Sequence, residues 1–134
     1  MQNPESVGAG LRTIGLRLRA TDAKTLQEAG EDTDGVVTSV PQLRQLIRDL
    51  TKVSSNDFKG LDILKDDGSF KSTYDILLSL SKIWDEIGNS DQGDLKQASI
   101  LEKIAGKNRA NIASSILQKP EMLEKVYNET QNSE

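Results

Sequence analysis

The sequence contains no cysteine and no histidine. Together these absences exclude disulfides, Cys/His zinc sites, thiol nucleophiles and imidazole acid–base chemistry. A chain without cysteine is compatible with a reducing compartment. Aromatic side chains make up 4% of the residues, with Trp84 the single tryptophan, so a core must be assembled from Leu, Ile, Val and Ala. No apolar run approaches the roughly 20 residues of a membrane-spanning helix, and the N-terminus lacks a signal-peptide apolar stretch. Basic residues, 17 in all, are outnumbered by 21 acidic ones. The net charge is −4, with Glu28, Glu31, Asp32 and Asp34 bunched together. Phosphate binding draws on a concentrated basic patch, so nucleic acid is disfavoured as a partner and a membrane partner is not evident.

What the chain does have is helical periodicity. Its length of 134 residues, of which 35% are hydrophobic, suits one domain spanning 1–134. The first helix is expected from Pro4, tolerated in a first turn, with Val7, Leu11, Ile14 and Leu18 on one stripe. Arg12 and Arg19 fall off that stripe, as a solvated face would. Residues 20–35 read as a connection, because Glu31-Asp32-Thr33-Asp34-Gly35 joins turn formers to repelling charges. An EF-hand is excluded there: counting back from Gly35 puts Gly30, which has no side chain, at the first ligand position. Val36–Val40 has β-propensity over a short stretch. Pro41 then opens a helix with Leu43, Leu46, Ile47 and Leu50 on one face, leaving Arg44 and Arg48 as helix-surface charge.

Residues 58–70 read as a small β-hairpin. Leu61, Ile63 and Leu64 supply one strand, Asp67-Gly68 a type I′ turn and Phe70 the return, with Asp62, Asp66 and Asp67 assigned to turn chemistry. Ser72 caps the strongest helix, with Asp75 three residues on. Ile76, Leu80, Ile83, Trp84 and Ile87 mark its inner face, Leu77 its edge, and Gly88-Asn89 its end. A helix from Ser90 or Asp91 to Ala105 is expected to turn Leu95, Ala98, Leu101 and Ile104 inward. Another over 107–119 presents Ala110, Ala113, Ile116 and Leu117. Pro120 opens a last short helix with Leu123, Val126 and Tyr127, and 128–134 is a polar, frayed end. The expected fold is mainly α, with about five to six helices and the hairpin.

No catalytic constellation stands out. Asp85 and Glu86 are adjacent on one helix and diverge, and a phosphate loop around Gly106-Lys107 would need a glycine where Leu101 stands and a hydroxyl where Asn108 stands. The residues name no catalytic, cofactor or metal site, and the chain is not expected to be an enzyme. One alternative from another class is a DNA-binding or regulatory module over residues 95–117, two helices broken at Gly106, with Asn108, Arg109 and Asn111 as base readers. Against it, a helix-turn-helix usually has a small residue four positions before the turn glycine, where Glu102 stands here.

Four segments in order resemble a region of the tail tape measure proteins of long-tailed phages and prophages of Gram-positive bacteria. They are Leu16-Arg17-Leu18-Arg19; Glu31–Gly35 leading to Leu43-Arg44; Gly68-Ser69-Phe70-Lys71-Ser72-Thr73-Tyr74 continuing to Trp84-Asp85; and Leu101–Lys107 through Asn111. They cover about residues 16–118. The last departs from the family, where Arg-Gln-Gly-Asn commonly follows the lysine; Asn108-Arg109-Ala110-Asn111 stands here. The resemblance implies a structural protein of virion assembly, around which tube subunits polymerise until its length is covered, and which later leaves so that DNA can pass. It implies partners among tail tube and tail-tip proteins and tail assembly chaperones, with self-association left open. It implies location in the host cytoplasm during assembly and then in the tail lumen. It also implies that 1–134 is a segment excised from a longer protein.

Overall fold

The structure is a computed structural model that describes residues 4–31, 33, 35–52, 60–119, 121 and 123–125. Its helices are α1 (Pro4–Leu18), α2 (Ala23–Glu28), α3 (Val40–Thr51), α4 (Thr73–Asn89), α5 (Gly93–Ala105) and α6 (Ala110–Gln118), with a 3-10 turn, Lys107–Arg109, before α6. The expectation of a mainly helical chain holds. Helices α1, α4, α5 and α6 pack on one another, and α3 lies against α5 and α4. One continuous apolar cluster runs from Ile14 to Leu123. No described helix is long and apolar enough to cross a membrane.

Local chemistry starts the helices where the sequence signals them. The Ser39 hydroxyl accepts from the Gln42 amide and the Ser72 hydroxyl from the Asp75 amide, each satisfying a first-turn donor that has no partner within its helix. On α4, Ile76, Leu77, Leu80, Trp84 and Ile87 are all buried; Leu77 is as deep as the rest, and Ile83, expected on the inner face, is the one half-buried at its edge. Helix α3 buries Leu43 and Ile47 as its period requires, and α1 buries Ile14 and Leu18.

The hairpin is a correction. Among the described residues there is one antiparallel bridge, Leu64 to Phe70, and no strand. The expected type I′ turn on Asp67-Gly68 does not form, since it needs a positive φ at both residues and only Gly68 has one. The Gly68 amide donates to the Lys65 carbonyl instead, which centres the turn on Asp66-Asp67, and Asp67 Oδ1 accepts from both the amide and the hydroxyl of Ser69. The Lys65 amide donates to the Ser69 carbonyl and the Lys71 amide to the Ile63 carbonyl, and the pairing stops there because the cap Ser72 follows. On the other arm the Leu61 amide donates to the Thr51 hydroxyl at the end of α3, 2.6 Å away, and not to a strand. Leu61 and Ile63 are buried in the helical core instead.

Further corrections concern the connections and α5. Residues 20–35 were expected to lack structure but contain α2, capped by Asp22, whose carboxylate accepts from the Thr25 amide at 2.7 Å. Residues 36–39 form no strand. Helix α5 starts at Gly93, later than expected, and buries Gly93, Ile100, Ile104 and Ala105. Of the predicted face only Ile104 is buried; Ala98 is exposed and Leu95 stands 68% exposed. Gly93 fixes this rotation: a Cβ there would lie 2.2 Å from the Gly88 carbonyl oxygen, so the α4–α5 elbow closes more tightly than any side chain allows. Helix α6 buries Ile112 besides the predicted Ala113, Ile116 and Leu117. Of the last predicted helix, Leu123 is buried and 123–125 are helical; Pro120, Val126, Tyr127 and 128–134 lie outside the described residues.

Candidate functional site

Two of the buried polar side chains, Thr13 and Arg17, lie on a seam where α1, the segment after α2 and the α5–α6 junction meet; the third described one, Thr51, closes the end of α3. Arg17 lies three residues after Ile14, on the apolar side of α1, and is buried with 1% exposure. An interior guanidinium is costly unless charge and hydrogen bonds compensate it. Its Nη1 donates to the Glu102 carbonyl, 3.4 Å away, among the last carbonyls of α5, where the helix dipole is negative. The guanidinium lies on Gly106. A Cβ there would sit 2.8 Å from Arg17 Nη2, and the backbone has φ 80°, which side-chain-bearing residues rarely adopt. The glycine that ends α5 therefore also makes room for Arg17.

Glu31 supplies the negative charge. Its carboxylate accepts from Arg109 Nε at 3.0 Å and Nη2 at 3.2 Å, a two-pronged pair across 78 residues of sequence. It also accepts from the buried Thr13 hydroxyl at 2.5 Å. Hydrogen bonds from Arg109 hold the Glu31 carboxyl below the usual carboxylate range, outweighing its partial burial, with Thr13 and the charges of Arg109 and Arg17 assisting. Nearby, Lys103 Nζ donates to the Gly35 carbonyl at 3.3 Å. Arg19 is exposed, as expected, yet its Nη1 donates to the Gly15 carbonyl and to the Thr73 hydroxyl, and its guanidinium lies 5.9 Å from the centre of the Phe70 ring.

A second cluster corrects the reading of Arg44, Arg48 and Asp62. Arg44 grips Asp62 with Nε at 2.8 Å and Nη2 at 2.7 Å, and Arg48 Nη2 reaches the same carboxylate at 2.7 Å. The Leu64 amide adds a fourth donor at 3.1 Å. The Arg44 fork, more than any other contact, holds the Asp62 carboxyl well below its ordinary range. These arginines are not idle surface charge. They tie the segment after Gly60 to α3.

Neither cluster is arranged for catalysis. Both carboxylates are saturated by donors and held ionised, whereas a general base works best with a pKa near the working pH. Among the described residues, no group of three or more Asp and Glu side chains is placed to hold a metal. A shallow cleft between α4, α5 and α6 is lined by Ser81, Trp84, Asp85, Gln97, Leu117 and Gln118. Its tryptophan is 4% exposed, and the Gln97 amide donates to the Trp84 carbonyl at 3.0 Å, which spans the cleft. Trp84 is a core residue, as its helical spacing predicts. Arg109, offered above as a base reader, is engaged by Glu31.

Sequence reasoning missed Arg17, Glu31, Arg109 and Asp62. Only Arg17 left a signal: a charge in register with Ile14 on an apolar stripe needs a buried partner. The others contact residues too distant in sequence for any spacing to show. Compared with protein-family profiles, curated proteins and solved structures, the chain finds no match.

Proposed function

We propose that the chain is a segment of a tail tape measure protein of a long-tailed phage or prophage, acting as a structural assembly protein without chemistry of its own. What supports the reading is the set of four ordered segments, which do not merely recur along the chain but touch in the fold. Arg17 of the first packs on Gly106 of the fourth, and Arg19 of the first meets Phe70 and Thr73 of the third. Glu31 and Gly35 of the second bind Arg109 and Lys103 of the fourth. A motif set that builds one seam is a unit of structure.

The shape of that unit narrows its role. A wholly helical chain of this length would extend about 200 Å at about 1.5 Å per residue. Packed helices of the same length have a radius of gyration of roughly 14 Å. Such a module contributes little length, so within the parent protein it serves tip attachment or the start of tube assembly, and the measuring falls to other segments. The test is to mix the purified chain with tail-tube subunits and, separately, with a tail-tip protein, and to follow mass by light scattering after gel filtration. Co-elution with the tip protein, or tube nucleation, is expected. Elution alone from both mixtures, with salt-dependent binding to duplex DNA, would replace this reading with the module over residues 95–117.

A further inference from the structure

We infer that the described residues between 21 and 39, α2 with its flanking loops, form a strap that opens as a unit while the helical core stays folded, and that the Glu31 carboxylate is its clasp. The inference rests on the contacts of this segment alone and does not depend on the proposed function.

Helix α2 has six residues, far below the length at which a helix persists unaided. Leu26 is its one buried side chain, and Leu26 lies outside the continuous apolar cluster that unites the other helices. Helix α2 is also absent from the set of helices that pack extensively on one another. Apolar burial therefore gives this segment little purchase. What holds it is polar and concentrated at its exit: Glu31 on Thr13 and Arg109, then the Gly35 carbonyl on Lys103. Val37 adds a half-buried contact with the core. At the other end, Ala20 takes a left-handed backbone with φ 56° where the chain leaves α1, its amide on the Arg17 carbonyl and the Thr21 amide on the Leu16 carbonyl. Segments with few buried apolar contacts open at a smaller free energy than the core, and one ion pair then sets how often they do so. Opening brings the Arg109 guanidinium and the Thr13 hydroxyl, both covered by Glu31, out to solvent.

Hydrogen exchange on the intact chain tests this. The amides of Leu26, Ala29, Gly30 and Glu31 are hydrogen-bonded within the strap, to the carbonyls of Asp22, Thr25, Gln27 and Leu26. Their protection factors should be at least about tenfold lower than those of residues 76–87 in α4. Glu31→Gln keeps the shape of the clasp and removes its charge. It should lower protection over residues 25–36 by about a further tenfold and leave α4 unchanged. Lys103→Gln, which removes the donor to the Gly35 carbonyl, should do the same by about twofold to threefold and covers the case in which Glu31→Gln does not fold. Equal protection of strap and α4 in the unsubstituted chain would overturn the inference. So would a loss of protection in α4 as large as that in the strap on either substitution.

Discussion

The inner face of α4 and the seam around Glu31 are both interior, yet they are held by opposite means. Helix α4 lies against α5 and α6 through Ile76, Leu77, Leu80, Trp84 and Ile87, whose attraction is non-directional and grows with the apolar area removed from water. The seam depends on a few directional bonds, from Thr13 and Arg109 to the Glu31 carboxylate and from Arg17 to the Glu102 carbonyl, each useful only in one geometry. The first kind of interior tolerates adjustment and fails when volume is lost. The second fails when one charge loses its partner, and the stabilisation it gives depends on pH.

The largest expected effect lies in the apolar region. Trp84→Ala should cost about 3–5 kcal/mol, from lost burial and the cavity left behind. That is much of the roughly 5–15 kcal/mol that holds a domain of this size, so the variant should melt far lower or fail to fold. In the unsubstituted chain, Trp84 fluorescence should be blue-shifted and shielded from a soluble quencher. A Trp84→Ala chain with the urea midpoint of the parent would contradict the burial seen here.

Next comes the seam. Glu31→Ala strands the Arg109 guanidinium and removes a negative charge that favours the buried Arg17. With the Arg109 side chain 28% exposed, the cost should stay near the lower end for a broken buried pair, about 3 kcal/mol. Combining it with Arg109→Ala should cost clearly less than the sum of the two single changes, because the second removes a charge that the first had stranded. The pH dependence has a fixed sign. The Glu31 carboxyl is held below its ordinary value of 4.5, so its contribution is fully present above that pH and is lost as pH falls through the depressed value. Urea midpoints measured from pH 7 down to about pH 3 should therefore fall less steeply for Glu31→Gln than for the parent. Parallel curves would mean that the carboxylate is not paired as described.

The smaller cluster sharpens the contrast, since it uses the same residue types nearer to solvent. Arg44 and Arg48 have side chains 42% and 34% exposed, so water already solvates much of what Asp62 would lose. Asp62→Asn should cost about 1 kcal/mol or less, a shift of a few degrees in a thermal melt. A loss as large as that of Glu31→Ala would show that burial is not what separates the two clusters.

Most of the apolar architecture was legible in the sequence, because burial leaves a period. Helices α1, α3 and α4, the deepest residues of their inner faces and the cap Ser72 follow from spacing and first-turn chemistry. The cap Ser39 was not read from the sequence, and Leu11, Leu46, Leu50 and Ile83 are only half-buried. The polar architecture was not legible, since Glu31 and Arg109 share no pattern and Asp62 sits in a stretch rich in turn residues. The hairpin expectation failed because a good turn pair says nothing about the length of its arms. Helix α2 was hidden by the acids after it, of which Glu31 is held by Thr13 and Arg109.

Helix α5 gives the smallest expected effect and the sharpest check on how its face was read. Leu95, Ala98, Leu101 and Ile104 recur every three residues and so drift half-way round the helix, whereas Gly93, Ile100 and Ile104 share one narrow face, and Leu95 and Ile100 cannot both point inward. The close approach of Gly93 to Gly88 selects the second, leaving Leu95 outside. Glutamine has nearly the helix propensity of leucine, so Leu95→Gln should stay within about 0.5 kcal/mol of the parent. Ile100→Ala, on the opposite side of the same helix, should cost about 2–5 kcal/mol. Urea denaturation of the two variants side by side separates the faces. If Leu95→Gln is the more damaging, α5 is turned the other way, and Gly93 does not set the elbow.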